Sequence, residues 1–215
     1  MSCTEAVDPA VAALLSSCAA CRPWAEQDEG PYHRDTQPER RDVVEDRDGA
    51  ALQLGIRLAS EDGSPATGAT VEIWQCDAHG RYSGFPPPDS IVPTATAPKT
   101  QYLPEDTFLR GRQRTDAAGM VEFRTIYPGW YPGRTVHIHL IVQVDERALT
   151  SQLYFPEPVN DDVLSQLPYA ARAGRDTTNH TDPILPTGGT PAMVDIEAVG
   201  TGYRGGVCLM LPSAS

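Results

Sequence analysis

The stretch Ala51-Leu52-Gln53-Leu54-Gly55-Ile56-Arg57-Leu58-Ala59 places an apolar side chain at every second position, with Leu52, Leu54, Ile56 and Leu58 in one register. Successive side chains of an extended backbone point to opposite faces, so this run reads as a strand with one face in a core. Glu61-Asp62-Gly63 then marks a turn. Working outward, strand-like runs recur at 69–76, 109–115, 120–126, 135–144, 152–155, 193–199 and 207–211, with no alternating helices. The 20 prolines and 18 glycines in 215 residues suit many short strands joined by turns. The expected fold is all-β, a two-sheet antiparallel sandwich.

Ahead of that region, Pro9 to Ala20 predicts a short helix, with Pro near its start and Ala and Leu through it. A charge-rich arm runs from Arg22 to Asp48. The expected organisation is therefore an N-terminal helix and arm over residues 1–50 and a β-sandwich domain over 51–215. Two long loops, 77–107 and 156–191, interrupt the strands, and loops of that length in a compact domain are often functional.

The formal charge of −12 lacks the basic footprint that phosphate neutralisation requires, which excludes nucleic acid as an expected partner. No run approaches the ~20 apolar residues that span a bilayer, so no membrane partner is expected. Glu5 and Asp8 stand where a signal peptide needs basic residues, which predicts a cytoplasmic protein; an exported form stays open if the native N-terminus is longer. The cysteines at 3, 18, 21, 76 and 208 are odd in number and uneven in spacing. They read as ordinary thiols, with a disulfide conceivable only in an exported protein.

The chemistry concentrates between Phe108 and His139. His137 and His139 are two apart in the run Val136 to Val144, so both imidazoles lie on one sheet face. Such a pair can bind one metal, and it can equally be a polar face in water. Immediately upstream, Tyr127-Pro-Gly-Trp-Tyr-Pro-Gly133 sets three aromatic rings in a Pro-Gly frame, a rigid presentation loop.

These residues resemble the intradiol ring-cleavage dioxygenases, the family of catechol 1,2-dioxygenase and protocatechuate 3,4-dioxygenase. The resemblance runs from Glu29-Gly-Pro-Tyr32 to about Phe155, and is densest over Val71 to Tyr82 and over Thr115 to His139. It implies a transthyretin-like sandwich and a ferric ion, Fe(III), held by Tyr82, Tyr131, His137 and His139. Tyr131 matches the tyrosinate that leaves the metal when substrate binds, Arg134 the arginine beside the substrate ring, and Gln152 a glutamine on the O2 side of the pocket. The implied reaction opens a small catechol between its two hydroxylated carbons with O2, giving a cis,cis-muconate-type product. Chemistry agrees with that ligand set: a phenol titrating near ~10 ionises at neutral pH only beside a strong cation. An arginine, which keeps its proton, suits negative charge developing on the ring.

The chain departs from the larger members in two places. Only Gly133 separates Tyr131-Pro132 from Arg134, where they carry an insertion, and their long helical dimerisation segment is missing. It therefore looks like a smaller, short-loop branch, and a homodimer is left open. Two other readings remain at this point: a His-ligated Fe(II) or Zn(II) enzyme of cupin type, and a non-catalytic β-sandwich binding module. The first usually draws a third His or a carboxylate from near the paired histidines, and no acidic residue falls between Glu122 and Asp145.

Overall fold

The computed structural model describes residues 6–17, 21–86, 105–187 and 189–213. Two five-stranded sheets face each other. The first holds β1 (Arg22–Pro23), β2 (Ala51–Ala59), β5 (Met120–Ile126), β9 (Asp195–Val199) and β10 (Gly202–Met210), ordered β1-β10-β2-β5 with β9 also on β10. The second runs β4-β3-β6-β7-β8, from β4 (Arg110–Arg114), β3 (Thr70–Trp74), β6 (His137–Val144), β7 (Arg147–Tyr154) and β8 (Ala192–Met193). The expected two-sheet sandwich is present. Its pairing is mixed rather than wholly antiparallel, because β10 runs parallel to β2 and to β1, and β7 parallel to β8. A hairpin imposes antiparallel pairing, but β2 and β10 are joined through the whole domain and escape that constraint.

The period-two pattern decides which side chains meet. Leu52, Leu54, Ile56 and Leu58 of β2 enter one core with Val121 and Phe123 of β5, Val71 and Ile73 of β3, and Ile138, Leu140 and Val142 of β6. Burial of this apolar surface, each full side chain contributing roughly 1.5–3 kcal/mol, drives the sheets together. In β6 the alternate residues His137, His139 and Ile141 are buried as well, on the opposite face. That outer face is covered by a second cluster of Tyr32, Trp74, Cys76, Tyr82 and Tyr131 around Ile141.

The expected N-terminal helix is α1 (Pro9–Ser17), and it lies on the outer face of the first sheet. Gly55 and Gly206 are register partners there. A Cβ on Gly55 would sit 2.4 Å from Val11 Cγ1, so the missing side chains leave the trough that Val11 and Leu15 fill. Residues after α1 continue across the sandwich, where Trp24 N donates to Met210 O and Gln27 N to Thr150 O.

Three further expectations change. Cys21 and Cys208 form a disulfide joining the start of the arm to the last strand, so these two are not ordinary thiols; Cys76 is a free, buried thiol. Proximity came from β1–β10 pairing, which odd cysteine spacing cannot reveal. The span 156–191 is not only loop, since it holds α2 (Glu157–Leu164) and a 3₁₀ turn at Tyr169–Ala171. β7 begins at Arg147, directly after a two-residue turn in which Asp145 takes φ 54°. Of the 77–107 loop, residues 87–104 lie outside the described residues. Among the described residues no helix is long and apolar enough to cross a membrane.

Candidate metal centre

The outer face of β6 presents His137 and His139, and two loops bring phenols over them. The first follows β3 and is closed by Asp77, whose Oδ1 accepts from His79 N and Arg81 N at 2.9 Å each. Gly80 takes φ 79° in that loop, and a Cβ on it would lie 2.3 Å from Trp130 O. Only glycine allows this approach of the first loop to the second. Gly129 N also donates to Asp77 O at 3.2 Å, so the two loops are joined backbone to backbone. The second loop ends in a tight turn, with Arg134 N donating to Tyr131 O at 3.3 Å. Tyr82 and Tyr131 are thus presented by one rigid pair of loops.

Four donor atoms converge. Tyr82 Oη lies 3.1 Å from His139 Nε2 and 3.5 Å from His137 Nε2. Tyr131 Oη lies 3.3 Å from His137 Nε2, and the two imidazole Nε2 atoms are 3.1 Å apart. His137 Nδ1 sits 2.7 Å from the carbonyl of Thr135. That carbonyl fixes the proton on Nδ1 and turns the Nε2 lone pair inward. His139 is held differently: Trp74 stacks on its ring at 4.8 Å with 5° between planes. Its Nδ1 is buried, with no hydrogen-bond partner among the described residues. Gly30 of the arm packs against its Cε1.

The electrostatics of this cluster are those of a cation site. Burial holds both imidazoles neutral, His137 down at about 3 and His139 well below its ordinary value. Burial raises both phenols well above the usual range; the Arg134 guanidinium pulls Tyr131 part of the way back. Two inward lone pairs and two buried phenols therefore face one another at one point over the sheet. A metal ion fits the donor set, since it would bind both lone pairs and ionise both phenols. Oxygen and imidazole donors with no thiolate suit first-row metals such as iron.

Arg134 and Gln152 complete the arrangement expected from the sequence. Arg134 Nη2 donates to Gln152 Oε1 at 2.5 Å, and Gln152 Nε2 donates to Asp28 O at 2.8 Å. Gln152 is opposite His139 in the β6–β7 register. All six expected residues, Tyr82, Tyr131, Arg134, His137, His139 and Gln152, thus gather on one sheet face.

Two further residues join them, Tyr32 and Asp182. Tyr32 is a lid on the phenols, stacked on Tyr82 at 4.2 Å and edge-on to Tyr131 at 5.7 Å. Its own hydroxyl is pushed up to about 12 by burial. Asp182 accepts from Arg134 Nε at 3.0 Å and carries no sequence signal, standing in a loop with no motif. His33 is outside the cluster, bonded to Glu72 at 2.8 Å. Tyr127 is structural, its hydroxyl donating to Asn160 at 2.7 Å. A cupin-type centre finds no support: the scaffold is an open two-sheet sandwich, and among the described residues no three His, Cys, Asp or Glu side chains are grouped to hold a metal.

Comparison with known proteins gives the same direction. Residues 27–178 match the family described as dioxygenase. An intradiol ring-cleavage dioxygenase from Tetranychus urticae superposes with TM-score 0.78 at 33% identity, over 88% of this chain and 94% of that one. The dioxygenase domain of a carbohydrate-binding fusion protein from Streptomyces sp. SirexAA-E gives TM-score 0.64 at 28% identity, over 90% of this chain and 100% of that one. Catechol 1,2-dioxygenase of Acinetobacter baylyi is 30% identical over 182 residues, 72% of this chain and 53% of its own length. The chain spans about half the length of this curated relative.

Proposed function

Because this chain belongs to the intradiol ring-cleavage dioxygenase family, we propose that it binds Fe(III) through Tyr82, Tyr131, His137 and His139 and opens a catechol-type ring between its two hydroxylated carbons with O2, to a cis,cis-muconate-type product. The observation that carries this reading is the meeting of four donor atoms from three chain segments, each 3.1–3.5 Å from another.

Ferric iron would supply the Lewis acidity that ionises the phenols and acidifies the hydroxyls of a bound catechol. The chain's residues do the rest. His137 is kept in its inward tautomer by Thr135 O, and His139 is kept in plane by Trp74. Tyr131 is the most exposed of the four, 8% against 2% or less for the others. It is therefore the donor an incoming catechol meets first, and its phenolate is the base for one substrate hydroxyl proton. Arg134 favours that phenolate and, after proton transfer, remains charged beside the ring. Tyr32 and the arm close the face of the sheet against water.

The test is oxygen uptake by iron-loaded protein against a panel of catechols, with ¹⁸O2 used to label the product. The expected result is a ring-opened dicarboxylate carrying both labelled atoms at the formerly hydroxylated carbons. A product cleaved outside the two hydroxyls, or no oxygen uptake with any catechol, would contradict the proposal.

A further inference from the structure

Asp182 is tied to the site in more ways than an arginine counter-ion requires. Its side chain is 0% exposed. Oδ2 accepts from Arg134 Nε at 3.0 Å and from Thr135 N at 2.7 Å. Oδ1 accepts from Ile184 N and Leu185 N at 2.8 Å each, with a longer contact of 3.5 Å to Arg134 Nη2. A carboxylate offers about four lone-pair sites, so the short contacts use every one and leave it a single orientation.

The Thr135 contact extends the reach of this carboxylate. The same residue that donates its N–H to Asp182 accepts the Nδ1–H of His137 on its carbonyl, at 2.7 Å. One buried carboxylate therefore sets the guanidinium of Arg134 directly and the ring of His137 through one intervening residue. The loop that carries it is itself held: Gln27 Nε2 lies 2.9 Å from Ile184 O and 3.1 Å from Thr187 O. Gln27 Oε1 accepts from Tyr154, whose hydroxyl also lies 3.1 Å from Gln152 Oε1. Arg134 is then gripped from two sides, by Asp182 on Nε and by Gln152 on Nη2.

We propose that Asp182 is a positioning residue that holds Arg134 and His137 in one shared geometry, so that the arginine beside the substrate ring and the imidazole at the metal move together or not at all. This rests on the reading of the site given above. Asp182 touches neither substrate nor metal; it acts through its two clients. It also offsets the charge of Arg134 before substrate arrives, leaving the guanidinium oriented by a fixed anion. Carboxylates that orient histidine ligands from outside commonly influence affinity or activity by about 10- to 100-fold.

The test uses Asp182→Asn and Asp182→Glu in the full chain, each loaded with ferric iron and titrated with 4-nitrocatechol. Asparagine keeps the shape and removes the charge; glutamate keeps the charge and moves it. The expected result is wild-type iron content, a shifted visible band, and 4-nitrocatechol binding weaker by about tenfold or more. Adding Asp182→Asn to an Arg134→Ala background should weaken 4-nitrocatechol binding by less than it does in wild type, because one of its two clients is gone, while the band shift through His137 persists. The inference is overturned if either folded variant keeps both band and affinity within about twofold of wild type, if the two substitutions add independently, or if both variants lose the fold, which would make Asp182 structural. Wild-type protein that shows no visible band with iron fails the site reading itself, and this inference falls with it. A wild-type band matched by unchanged variants overturns only the role of Asp182.

Discussion

The phenol oxygen of Tyr82 lies 3.1 Å from Nε2 of His139, although 57 residues separate them in the chain. Nothing in the local sequence of either residue requires the contact. It arises because Trp74, at the end of β3, pairs with His139 in register, so the loop leaving β3 turns back over β6. The centre is a product of strand order, and the predictions below probe the parts that build it.

Ile138 stands between the two histidines and points the other way, into the core, fully buried. Ile138→Ala should lower stability by about 2–5 kcal/mol in urea unfolding while leaving iron affinity of the folded protein unchanged. A cost under about 1 kcal/mol would contradict the assignment of the two faces of β6.

The Cys21–Cys208 disulfide closes a loop of sequence separation 187 and fastens the arm that carries Tyr32. Cys208→Ser, or reduction of the wild type, should cost about 2–4 kcal/mol in urea unfolding measured with and without dithiothreitol. Identical curves in oxidised and reduced protein would mean that the bridge does not constrain the chain.

Cys76 is fully buried, and burial raises its thiol well above the usual range. Iodoacetamide should leave the Cys76 peptide unmodified in native protein and label it fully in denaturant, read by mass spectrometry. Rapid labelling under native conditions would mean that the cluster over β6 opens to solvent.

Gly55 is the floor of the trough that receives α1. Gly55→Ala should overpack against Val11 and destabilise by about 1–3 kcal/mol, measured by thermal or urea unfolding. A neutral or stabilising effect would mean that α1 does not dock as closely as described.

The sequence was most legible where one physical rule acted alone. Alternation in Leu52 to Leu58 announced β2, and two histidines at strand spacing announced a shared face. The residues of the centre were legible through the family resemblance, whose densest segments are the two tyrosine loops and β6. Legibility failed where glycine hid a strand: Gly202, Gly205 and Gly206 mask the first half of β10, which pairs with β2 from Tyr203 to Met210. It failed again at α2, whose Pro158 and Asn160-Asp161-Asp162 read as loop although proline is tolerated in a first turn. Cys208 and Asp182 could not be found because each depends on a distant partner, Cys21 in the arm and Arg134 in the turn after Tyr131.

The account stands most directly on the donor set, and ferric iron titrated into metal-free protein measures it. The visible spectrum should gain a tyrosinate-to-iron charge-transfer band that saturates at one equivalent, and the band should shift or weaken in Tyr131→Phe and in Tyr82→Phe. Protein that stays colourless through the titration, or a band that both variants leave unchanged, would contradict the convergence of these two tyrosines with His137 and His139 on one ion.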